Sequence, residues 1–81
     1  MSNPHDKAAA ARMFRDDPTY KELKQEIIDA QVSVFKNPDS TPEDRETAHE
    51  IIRALGKLDN AIDARLAESA IRKRKEERAA P

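Results

Sequence analysis

The sequence predicts an all-α protein, and three observations carry that prediction. Charged residues make up 38% and apolar residues 37% of an 81-residue chain with a single Gly, the composition of a long-helix or coiled-coil protein. Three prolines each follow a residue suited to capping a helix, in Asn3-Pro4, Asp17-Pro18 and Thr41-Pro42, and Pro at the first helical position loses no hydrogen bond. Behind the second and third of these starts, apolar residues recur at spacings of three and four, the period of one helix face.

The first helix is expected over about residues 4–15, from the Asn3 cap through the alanine run to Phe14. A residue before Pro avoids the helical region, so the chain must break or bend at Asp17-Pro18. The second helix then covers about residues 18–36. Tyr20, Leu23, Ile27, Ala30 and Val34 form one stripe along it, while Ile28, Val32 and Phe35 form a second, about 100° further round. The first stripe is expected to pack within the chain and the second to be covered by the first helix or by another copy. A polar loop over residues 37–41 follows, with Thr41 as the next cap and Asp44 placed like the acidic member of a capping box.

The third helix is expected over about residues 42–75. Ala48, Ile51, Ile52, Leu55, Leu58, Ile62, Leu66 and Ala70 make one seam along it, which ends where Lys73 and Glu77 reach the same face. At 1.5 Å per residue the second helix spans roughly 28 Å and the seam roughly 43 Å. The first helix, roughly 18 Å long, is expected to cover the overhang. The whole chain, residues 1–81, thus reads as one domain: a helical hairpin whose bent first arm packs antiparallel on a long C-terminal helix and which oligomerises into a bundle. Met13 and Phe14 are expected to meet Ile62 and Leu66. A chain this short buries only about 60% of the surface its unfolded form exposes, which favours association.

Two residues of the third helix sit oddly. Gly56 costs about 1 kcal/mol relative to Ala in a helix interior, and close approach of another helix is the expected reason for it. Asp59 falls about 35° from the centre of the seam and needs a partner such as Tyr20, Lys24 or Arg15.

Several functions find no residues to carry them. No Cys is present, so there is no disulfide framework, thiolate site or cysteine nucleophile. The four serines lie apart from either His at a useful helical spacing, and His5 is expected in a mobile N-terminus. A single Gly excludes a glycine-rich phosphate loop. Glu46-x-x-His49 has the spacing of half a ferritin-like metal site, but the angular count turns both residues away from the seam. Neither a catalytic residue nor a cofactor or metal ligand is therefore assigned. No run of 18 apolar residues and no basic start ahead of an apolar run is present, so a soluble intracellular protein without a membrane span is expected.

The charge is unevenly laid out although the net is −1: residues 64–81 carry six bases and three acids, residues 37–63 three bases and seven acids. Arg72, Lys73, Arg74 and Lys75 begin a basic tail over residues 71–81. Bases in the last turns complement the helix dipole and can pair with Glu68, Glu76 and Glu77. The same four are the candidate partner-binding residues for an acidic protein surface. Nucleic acid is the less favoured partner, since no aromatic residue is interleaved with the bases and the domain is not strongly basic.

The segment "ARMFRDDPTYKELKQEIIDA" followed by "TPEDRETAHEIIRALGKLDNAI" resembles small helical proteins encoded in tailed-phage genomes, often beside head-assembly genes. The points of likeness are the Ala-rich start, Asp16-Asp17-Pro18 followed by an aromatic, the acidic loop and the Leu58-Asp59 step. The basic tail departs from that pattern. The resemblance implies a phage origin, a structural or assembly role, and a place in the host cytoplasm or the virion; it implies no activity. Together these readings predict a non-enzymatic interaction protein that self-associates through Ile28, Val32 and Phe35 and docks an acidic partner. The alternative is a small anionic-ligand or nucleic-acid binding module serving phage anti-defence or DNA packaging.

Overall fold

Each helix starts where a side chain satisfies its orphan N–H groups. Asn3 Oδ1 accepts from the Asp6 N–H at 2.9 Å and opens α1, Pro4–Asp16. Asp17 then takes an extended backbone, φ −63° and ψ 123°, as a residue before Pro must, and its N–H donates to Phe14 O at 3.3 Å. The same Asp17 caps α2, Pro18–Lys36, by accepting from the Tyr20 N–H at 2.8 Å. One residue therefore ends one helix and begins the next, which makes a tight elbow rather than a loop.

At the far end of α2 the Asn37 N–H is shared between Ser33 O and Val34 O, and Ser40 Oγ donates to Val34 O at 2.7 Å. These bonds satisfy carbonyls that the helix end leaves open. A reciprocal capping box starts α3, Pro42–Ala79: Asp44 N–H donates to Thr41 Oγ1 at 3.1 Å and Thr41 N–H to Asp44 Oδ2 at 3.0 Å. The structure, a computed structural model, describes residues 3–79, and among them there is no strand. The protein is all-α.

α3 continues to Ala79, four residues past the end expected at 75. The apolar face does stop near Ala70, but Arg, Lys, Glu and Ala are all strong helix formers and no breaker intervenes. The expected basic tail is thus helical throughout its described part, 71–79.

Both α1 and α2 lie against α3, with α1 and α2 touching near the elbow. Pairings ascend along the first two helices as they descend along the third, from His5 with Ser69 to Lys24 with Asp59. The molecule measures 66 × 23 × 21 Å. Its fully buried residues among those described are Ala8, Ala11, Ala48 and Ile62. Three of the four are alanines, and small side chains let helix axes come close.

Candidate interaction surface

Asp59 is where the long-range polar contacts of α2 converge. It accepts hydrogen bonds from Lys24 Nζ and, at 3.5 Å, from Tyr20 Oη. The bond to Asp59 holds the Lys24 ammonium above the ordinary lysine value, against an opposing effect of desolvation. With the Asp59 side chain 41% exposed, the pair contributes at most about 1 kcal/mol. Arg15, the other partner considered for Asp59, is bonded to Asp16 instead.

The roll of α2 about its axis agrees with these contacts. The residues it half-buries are Tyr20, Lys24, Ile28, Gln31 and Val34. Of the stripe expected to pack within the chain, Leu23 and Ile27 are exposed at 52% and 41%. Periodicity centres the packed face on Leu23 and Ile27, whereas in the fold Tyr20 and Lys24 face Asp59 and those two turn outward. Ile28 consequently moves into the partly covered face, while Val32 and Phe35 of the expected self-association stripe are exposed. No residue of α2 is fully buried.

The elbow opens a second apolar surface that the sequence reading placed inside. Phe14 stacks on Tyr20 with ring centroids 4.2 Å apart and planes tilted by 41°, an arrangement worth about 0.5–1.5 kcal/mol beyond burial. On one side of Phe14 a groove of about 390 Å³ runs between α1 and α3, lined by Ala10, Ala11, Leu58, Ala61, Ile62 and Arg65. On the other, a groove of about 650 Å³ lies over the elbow, lined by Met13, Thr19, Tyr20 and Leu23. Phe14 and Ile62 line the same groove, but Met13, expected to meet Ile62 and Leu66, does not pack inside: it is 76% exposed on the elbow groove. Consecutive residues point about 100° apart on a helix, and α1 is rolled so that Phe14 borders the groove against α3 while Met13 turns to solvent.

The charged candidates lie elsewhere. Arg72, Lys73, Arg74 and Lys75 are exposed on α3, and four consecutive residues there are spread about 300° around the axis. They form a collar, not a flat patch, and none takes part in an ion pair among the described residues. Glu76, expected to pair with that run, instead meets His5 Nε2 at 3.3 Å. His5 Nδ1 is 2.7 Å from Ser69 Oγ, so His5, expected in a mobile segment, is half-buried and joins the start of α1 to the end of α3. Glu46 and His49 are both exposed, and no group of three His, Asp or Glu side chains suited to a metal is gathered among the described residues.

Gly56 also departs from expectation: a Cβ built there would meet nothing within 4 Å. Within one copy, close approach of a helix does not account for it. No described helix is long and apolar enough to cross a membrane.

The chain exposes 6486 Å², roughly 1,600 Å² more than a compact monomer of its mass, which reflects its 66 × 23 × 21 Å shape and the exposed, charged last turns of α3. Met13, Leu23 and Leu58 were missed as surface residues by reading apolar periodicity as burial. A signal was nevertheless present, because the apolar residues of α2 cover too wide an arc for one neighbouring helix.

Comparison of this chain with protein-family models, with curated proteins and with solved structures finds no match.

Proposed function

We propose that the chain is a non-enzymatic assembly unit: a helical hairpin that self-associates and then holds a partner at its basic end. The observation that carries this reading is the mismatch, among the described residues, between a core of three alanines and one isoleucine and eight large apolar side chains left exposed. The likeness to tailed-phage helical proteins fits such a unit into virion assembly.

Molar mass in solution across concentration is the experiment. A mass above that of one chain, falling on dilution together with the thermal midpoint, is the expected result; one chain's mass at millimolar concentration would refute self-association. The basic end is proposed to dock an acidic protein surface. Replacing Arg72, Lys73, Arg74 and Lys75 by Gln should leave the melting temperature nearly unchanged, since exposed charges contribute little, while abolishing salt-sensitive capture of the partner. Loss of oligonucleotide retention instead would favour the nucleic-acid alternative.

A further inference from the structure

One strip of α3 reads the same in both directions once charge is inverted. Glu50, Ala54, Leu58, Ala61 and Arg65 follow one another at spacings of four, four, three and four residues, which keeps them within an arc of about 80°. All five are exposed, although Leu58, Ala61 and Arg65 belong to the groove beside Phe14. The order is acid, alanine, leucine, alanine, base.

We infer that this strip is the contact between two copies of the chain, related by a two-fold axis that crosses α3 at Leu58. The inference rests on the self-association proposed above and specifies its face and geometry. A two-fold contact must be self-complementary, with each residue meeting the counterpart of its own partner. Turning a second copy end over end about Leu58 sets Leu58 against Leu58, Ala54 against Ala61, and Glu50 against Arg65. Opposite charges therefore meet at both ends, and the alanines between them allow the two α3 helices to approach closely.

The neighbouring helices support the same operator. Measured from the loop by helical rise, Leu58 lies about 25 Å along α3 and Leu23 about 21 Å along α2. Phe14 shares its groove with both Leu58 and Ile62, which places it slightly beyond Leu58. Rotation about the Leu58 level brings Leu23 of one copy to Phe14 of the other, so the two apolar grooves of each copy are covered by the other's exposed side chains. The opposite side of the molecule, with Val32 and Phe35, stays outside this contact.

Four variants and the wild type test the inference by sedimentation equilibrium, with circular dichroism as the check on folding, and a fifth variant tests it by cross-linking. The wild type should be a dimer. Leu58→Asp should weaken it by roughly a hundredfold or more, because a charge is placed at the dry centre of the contact. Arg65→Glu should weaken it by about tenfold, since each dimer contains two copies of the pair, and the double variant Glu50→Arg with Arg65→Glu should return to near wild-type affinity. Val32→Asp separates this face from the stripe of Ile28, Val32 and Phe35 expected from the sequence: the dimer should survive it, and a dimer lost there but kept in Leu58→Asp would place the contact on that stripe instead. Because the chain has no Cys, oxidation of Leu58→Cys should also yield a covalent dimer. A wild type that is monomeric would overturn self-association and this inference together. An oligomer that survives Leu58→Asp, or one in which the charge swap restores nothing, would overturn this face alone.

Discussion

α1 and α2 lie against the same helix but are held there by different means. α1 is short and alanine-rich, yet it buries Ala8 and Ala11 fully and is bound at its far end by His5 to Ser69 and Glu76. α2 is longer and carries Leu23, Ile27, Ile28, Val32, Val34 and Phe35, yet buries none of its residues fully. Apolar content alone therefore does not decide burial. Small side chains let α1 sit close to α3, while the bulky apolar residues of α2 are spread too widely around its axis for α3 to cover and stay exposed on both flanks.

The sharpest way to break that comparison is truncation on each side of it. Ile62 is buried under α1, and Ile62→Ala should cost about 2–5 kcal/mol. Ile28→Ala, in the half-buried face of α2, should cost less than half as much by chemical denaturation. Equal losses would mean that α2 is seated as firmly as α1.

Enlarging a side chain probes the same difference. Ala8→Leu should destabilise by about 1–3 kcal/mol because Ala8, on α1, is fully enclosed where that helix meets α3. Ala30→Leu, on exposed surface of α2, should change stability by no more than about 0.5 kcal/mol. A neutral Ala8→Leu would show that α1 does not approach α3 closely.

At Gly56 the expected sign reverses. Nothing occupies the space its Cβ would take, so Gly56→Ala should stabilise by about 0.5–1 kcal/mol through helix propensity. Destabilisation, with loss of the oligomer, would place another chain against Gly56 and make that side an interface too.

The smallest effect is expected at the Lys24–Asp59 pair. Lys24 is held above its ordinary value by the bond to Asp59, so its contribution is complete below the unfolded value of about 10.4 and fades as pH rises through the higher folded value. Stability of the wild type should therefore fall more steeply above about pH 10.4 than that of Lys24→Met, by at most about 1 kcal/mol for so exposed a pair. Parallel curves would show that the pair does not anchor α2.

Helix starts were legible because each is made by neighbours in sequence. Asn3 with Asp6, Asp17 with Tyr20 and Thr41 with Asp44 are all three residues apart, a separation any chain can close locally. Asp59 was legible as a carboxylate in need of a partner, and two of the three groups considered for it are bonded there. The end of α3 was less so, because the loss of an apolar face was read as the loss of a helix.

The roll of α2 and the outward turn of Met13 were not legible from apolar periodicity. Two stripes about 100° apart fit the second helix equally well by periodicity, and choosing between them takes Asp59, 35 residues from Lys24. His5 looked unconstrained until Ser69, 64 residues away, met its ring. By itself, then, the sequence determined that this is an all-α protein of three Pro-initiated helices with more apolar surface than one copy can cover, because caps, breaks and helical periods act over three or four residues. Tertiary structure alone decided which apolar residues are covered and which are left facing outward, because that depends on which distant side chains reach one another when the helices come together.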